Sequence, residues 1–286
     1  MVYNKTRISP LVGKDTSFPF QVSVACWIDL LGYGRMIAEA EFNPIHPKSK
    51  DALRRLRRFH EIVADHSMRY FPTLVMNDGA VVYRDLSLRA RSVTHDFLRR
   101  AWDLFKDINS DENARGHPGA RLVLACGFRM RGRRAGIDAS SRHFQSIITR
   151  FEAGDIDANQ AIREAASVRQ PFDIVPQLQA NFAFTKAYVA ENSGHAGGLP
   201  GANFYVDLIM FARPNPPWLV TGPEIPWADV RLGLSTSFSS LIDLPAWQHP
   251  DGGPIGILDG LQIAQRLAHD QDVLNSLRSA QKTMKL

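Results

Sequence analysis

Apolar and β-branched residues run almost unbroken through Gln21–Ile28 (QVSVACWI), the pattern of a buried strand. A glycine turn, LLGYG, follows it and opens a helix at about Arg35. That helix pauses over Asn43–Pro47, because proline and the residue before it disfavour helical backbone. It resumes over Ser49–His66, with Leu53, Leu56, Phe59 and Val63 spaced three and four apart on one face. Two short strand-like runs, FPTLVM and AVVYRDL, flank Asn77-Asp78-Gly79, a strong hairpin signal. A helical stretch from about Leu88 to Ile108 leads to a further strand, Arg121–Phe128.

The order strand, helix, strand, strand, helix, strand is the split β-α-β unit of ferredoxin-like α+β folds. The helical crossover makes the first two strands parallel and leaves room between them for the third. The hairpin then lies at the edge where the first strand ends. Asp29 closes that strand and Asp78 sits in the hairpin, so topology alone brings the two carboxylates to one edge.

Beyond this core the pattern is looser. Residues from about Arg142 to Arg169 read as a polar helical insertion, 179–192 as a helix, and 201–211 as a buried strand after a glycine-rich loop. The segment RPNPPWLVTGPEIPW (213–227) marks a boundary or a wrapping arm. A final helix starts at about Ile257, with Leu267, Leu274, Leu277 and Met284 on one face. The domain expectation is a core over residues 1–212 with an insertion at about 140–170, and an extension over 213–286.

Composition narrows the class. The hydrophobic fraction of 44% and charged fraction of 22% exclude wholesale disorder in a chain of 286 residues. No apolar run approaches the roughly 20 residues a membrane helix needs, and the N-terminus lacks a secretory pattern, so a soluble, cytoplasmic protein is expected. Cys26 and Cys126 stand alone in apolar runs, which predicts buried thiols rather than a disulfide or zinc site. His60 and His66 lie six apart, about 600° around a helix, so they share no face and form no zinc-protease motif. A net charge of +5 suits an anionic substrate without demonstrating nucleic-acid binding. The run Arg54, Arg55, Arg57 and Arg58 reads as a solvated helix face.

Two carboxylates at one sheet edge can hold two magnesium or manganese ions, which take oxygen ligands together with substrate phosphates. The Leu30 carbonyl is a further candidate metal ligand. The amides of Gly32, Tyr33, Gly34 and Arg35 stand at a helix start, where free N–H groups favour phosphate. Together these parts describe a nucleoside triphosphate site. Taken singly, each Asp reads equally as a cap or a turn former.

The segment CWIDLLGYG resembles the first-strand motif of class III nucleotidyl cyclases, Asp-Ile-x-Gly-Phe, with Leu30 for isoleucine and Tyr33 for phenylalanine. MNDGAVVY resembles the hairpin carrying their second metal-binding aspartate. Within that superfamily the chain is similar to bacterial cyclases of the Pycsar antiphage systems, whose Ala-Tyr…Glu helix motif resembles Lys186-Ala187-Tyr188 with Glu191. The resemblance covers roughly residues 20–211 and implies a palm-type core. It implies cyclisation of a triphosphate to a 3′,5′-cyclic monophosphate by two metal ions, and a head-to-tail homodimer whose partner supplies helix 179–192. It also implies a separate effector that responds to the cyclic nucleotide.

Two departures shape the expected chemistry. Leu74 replaces the base-reading lysine of adenylyl cyclases, which favours UTP or CTP over ATP. Thr185 and Val189 occupy the places of the Asn and Arg that steady the transition state, so Lys186, Arg129 and Arg131 become the candidate catalytic cations. A purine cyclase, a cyclase-like nucleotide-binding protein without turnover, and a basic nucleic-acid-binding protein remain the alternatives.

Overall fold

A computed structural model describes residues 20–130, 139–168, 175, 177–246, 254–268 and 270–283. Arg131 and Met284 lie outside the described residues. The chain divides into two compact units, one of residues 1–20 with 129–181, the other of 21–128 with 182–286.

The larger unit is α+β. Its first half runs β1 (Phe20–Leu30), α1 (Tyr33–Glu39), α2 (Pro47–His66), β2 (Thr73–Met76), β3 (Gly79–Asp85), α3 (Arg91–Ala114) and β4 (Ala120–Met130). These strands are ordered β2-β3-β1-β4, with β3 antiparallel to both β1 and β2. That is the arrangement expected of the split β-α-β unit. The interruption before α2 falls where the prolines predict it. Pro47 occupies the first helical position, where its missing N–H costs nothing, and the His46 ring accepts from the Lys48 amide.

The face of α2 differs from the expected one. Ser49, Ala52, Arg55, Phe59 and Val63 are buried, whereas Leu53 is exposed. Arg55 can lie on the inner face because its charge is fully partnered. It meets Glu112 of α3 at 2.5 Å and donates to the Leu31 carbonyl at 2.9 Å. A buried charge is tolerable only on such terms.

The second half of the unit extends the same sheet. It contains α6 (Phe182–Ser193), β5 (Phe204–Asp207), β6 (Val220–Thr221), β7 (Ile225–Asp229), β8 (Leu234–Asp243), α7 (Gly260–Leu267) and α8 (Gln271–Thr283). β5 runs parallel to β4, β8 runs antiparallel to β5, and β6 and β7 both pair with β8. The proline-rich stretch therefore includes two strands. The predicted strand over 201–211 stops at Asp207, because its carboxylate accepts from the Ile209 amide and turns the chain into a 3₁₀ turn. The predicted terminal helix is two helices, α7 and α8, and Leu274 and Leu277 are buried. Among the described residues no helix is long and apolar enough to cross a membrane.

In the smaller unit, the polar helical pattern resolves into α4 (Ala139–Glu152) and α5 (Ala158–Ser167). Gly154 with positive φ and the Asp157 cap separate them. Arg150 joins them by an ion pair to Glu164 at 2.7 Å.

Gly127 sets how closely α6 approaches β4. A Cβ there would stand 2.5 Å from the Ala183 nitrogen and 2.8 Å from the Phe182 carbonyl carbon, both unyielding backbone. Gly127→Ala is therefore expected to destabilise the protein by about 1–3 kcal/mol, the usual cost of overpacking, read as a lowered denaturation midpoint.

Candidate functional site

The edge at the end of β1 is built by strand register. Asp29 stands opposite Gly79, and the Leu30 amide donates to the Asp78 carbonyl at 3.1 Å. The hairpin that carries Asp78 turns through Asn77, whose φ of 57° is a left-handed value that Asn tolerates better than most residues. Gly79 is needed for a different reason, since a Cβ there would meet the Trp27 ring at 2.5 Å. Trp27 and Asp29 share one face of β1, as alternate strand residues must. The ring contacts Tyr188 and Phe184 of α6, with centroids at 5.2 and 6.0 Å.

Sequence and structure agree on the loop after Asp29, with α1 beginning earlier than expected, at Tyr33. Gly32 caps α1 with φ of 74°, a conformation that suits glycine. Leu31 is held from both sides: its amide donates to the Gly119 carbonyl at 2.9 Å, and its carbonyl accepts from Arg55. The amides of Tyr33, Gly34 and Arg35 lie in the first helical turn, where no intrahelical acceptor exists. The Tyr33 side chain is core, 4% exposed, and its hydroxyl pKa is raised by burial and by the charge of Asp78. The Arg35 guanidinium pairs one turn on with Glu39 at 2.8 Å, in an exposed pair.

The electrostatics of this edge single out Asp29. Burial, then the negative charges of Glu191 and Asp78, push its carboxyl pKa up to about 7, against the pull of Arg121 and Arg55. Glu191 is itself held by Arg121, at 2.5 Å, and both side chains are nearly inaccessible. Acidic groups thus converge here with less positive charge than they need, which is the condition under which a cation is welcome. Among the described residues no group of three or more His, Cys, Asp or Glu side chains forms a metal cage. Two carboxylates, a backbone carbonyl and substrate oxygens are the donor set that magnesium commonly uses.

The expected catalytic cations fare differently. Lys186 is not free to serve a phosphate: its ammonium is 2.7 Å from Asp207, in a pair almost wholly shielded from solvent. Asp207 also accepts from Thr236 Oγ1 at 2.6 Å and from the Cys126 amide at 3.3 Å. Cys126 is five residues along β4 from Arg121, about 17 Å at strand spacing, so this network anchors the sheet away from the Asp29 edge. Arg129 belongs to the smaller unit, where its side chain donates to the Met130 carbonyl. Arg131 lies outside the described residues.

Sequence reasoning missed Arg55, Glu112, Arg121, Asp207 and Thr236. A signal existed for Arg55, which shares a three-and-four spacing with Ala52, Phe59 and Val63.

No protein-family model matches this chain, and no curated protein matches it. Two solved structures among those that align are guanylyl cyclases. One is the non-canonical dimeric guanylyl cyclase domain of the RhoGC fusion protein from the aquatic fungus Blastocladiella emersonii, at 8% identity. That alignment covers 79% of this chain and 98% of that one, with a TM-score of 0.41. The other is the guanylyl cyclase Cya2, at 11% identity, covering 80% of this chain and 95% of that one, with a TM-score of 0.42. Likeness of this extent carries no argument about chemistry, which rests on the residues themselves.

Two outcomes follow from this geometry. Asp29 has a folded-state pKa raised above its unfolded value, so its protonated form favours the fold, and that contribution is lost as pH rises from about 4 through about 7. In EDTA, Asp29→Asn is expected to melt higher than wild type at pH 8 and to show little advantage at pH 4, in paired thermal scans. Glu112→Ala strands Arg55 without its carboxylate and is expected to cost about 3–5 kcal/mol in chemical denaturation.

Proposed function

We propose that this protein is a nucleotidyl cyclase, converting a nucleoside triphosphate to a 3′,5′-cyclic monophosphate and pyrophosphate. The observation that carries the reading is the convergence of Asp29, at the end of β1, and Asp78, in the β2–β3 hairpin turn, beside the loop at Gly32. In this reading the two carboxylates and the Leu30 carbonyl hold magnesium or manganese. The amides of Gly32, Tyr33, Gly34 and Arg35 cradle the polyphosphate at the start of α1. The bound ions would lower the pKa of the ribose 3′-hydroxyl and neutralise the phosphates. Asp29 must be ionised to do its part, and a pKa near 7 in the metal-free protein makes cation binding and proton release one linked event.

Selection of UTP or CTP is supported by Leu74, an apolar side chain on β2 four residues before Asp78, which offers no hydrogen bond to a purine edge. A homodimer is supported by α6, which leaves Phe182 55% and Tyr188 43% exposed. The product would act as a messenger to a separate effector. A second reading, nucleotide binding without turnover, is favoured by one observation: Lys186 is committed to Asp207 in a buried pair.

The test incubates the purified protein with each of ATP, GTP, CTP and UTP in Mg²⁺ or Mn²⁺, with mass spectrometry of the products. A cyclic pyrimidine monophosphate is expected, falling at least roughly 100-fold in Asp29→Asn and in Asp78→Asn. A cyclic purine product would shift the base assignment alone. Binding of a triphosphate with no cyclic product would establish the second reading, and undiminished turnover in either variant would remove the metal assignment.

A further inference from the structure

The outer surface of α2 was expected to be no more than a solvated basic face. It borders instead a cleft of about 560 Å³, between α2, Met36 of α1 and the chain after α3. Arg54, Arg57 and Arg58 enter it from α2, Arg115 and His117 from the end of α3. Its volume is within the range of roughly 300–1,000 Å³ for small-molecule sites.

The arginines are already arranged around an anion, and that anion is a side chain of the protein. Asp111 accepts from Arg58 through one carboxylate oxygen at 2.7 Å and from Arg115 through the other at 3.1 Å. Two planar guanidiniums from different helices thus share one acceptor, the arrangement by which arginine clamps a phosphoryl group. Arg54 and Arg57 are engaged only by exposed neighbours on their own helix, Asp51 and Glu61, and such pairs exchange with little loss. The apolar contribution comes from Met36 and the arginine stems, which suit the non-phosphate part of a small molecule.

We propose that this cleft is a second anion site, taking a small molecule that bears two or more linked phosphates. It does not rest on the carboxylate pair at the catalytic edge. It is nonetheless joined to that edge through α2. Arg55, on the floor of the cleft, donates to the Leu31 carbonyl beside Asp29, and His60 Nε2 is 2.8 Å from the Asn77 carbonyl beside Asp78. Nucleic acid is a poorer match, because the guanidiniums gather around one cleft rather than along a stripe that could follow a phosphate backbone.

Calorimetric titration of inorganic tripolyphosphate into the full chain tests the site, in EDTA so that no metal-dependent binding contributes. One saturable event is expected, unchanged in Asp78→Asn and weakened at least roughly tenfold in the double variant Arg58→Gln/Arg115→Gln, with Arg58→Lys/Arg115→Lys between the two. Melting curves confirm that each variant is folded. Should the glutamine pair not fold, Arg115→Gln alone, at the end of α3, makes the comparison. Absence of binding in wild type, or equal binding in the folded glutamine variant, overturns the proposal. Loss in Asp78→Asn overturns it in favour of the catalytic edge, and tighter binding of a short oligonucleotide than of tripolyphosphate overturns it in favour of a nucleic-acid face.

Discussion

Antiparallel pairing of β1 with β3 is the constraint from which the rest follows. The ladder runs without a break from Ser23 opposite Asp85 to Asp29 opposite Gly79, so the last rung delivers the hairpin to the end of β1. Register in a buried sheet is stiff, because a slip of one residue would turn every inward side chain outward. Trp27 tightens it further, since its ring occupies the space that a side chain at position 79 would need. Two acidic residues far apart in the chain are therefore brought to one edge by paired backbone, Asp29 at the end of β1 and Asp78 in the turn that the ladder delivers there.

Holding them there has an electrostatic cost, and the surrounding arginines divide its management. Arg121 neutralises Glu191 and so limits the negative charge facing Asp29. Arg55 neutralises Glu112, anchors the Leu31 carbonyl and contributes its own attraction to Asp29. Burial, together with the residual imbalance, raises the Asp29 carboxyl pKa to about 7. Residues that look like a surface basic run thus separate into two kinds. Arg55 supports the loop from within, and its neighbours Arg54, Arg57 and Arg58 face outward into the cleft.

The C-terminal strands finish what the first four begin. β8 covers the edge of β5 and receives β6 and β7, so β5 is an interior strand. Their junction is pinned by Asp207, which gathers Lys186, Thr236, the Cys126 amide and the Ile209 amide into one buried network. Lys186 is bound into the fold by this network.

Local pattern was enough for the order of the first six elements, the proline break before α2, the Asn77-Asp78 turn and the meeting of Asp29 with Asp78. All of these follow from period, turn chemistry and the handedness of crossovers, which neighbours along the chain encode. β8 escaped notice because its serines weaken the apolar alternation, and the proline-rich stretch hid β6 and β7 because only pairing with β8 makes them strands. The partners of Arg55, Arg121 and Lys186 belong to tertiary structure alone. A charged side chain announces only that it needs a counter-charge, and which one it meets depends on elements 57, 70 and 21 residues away.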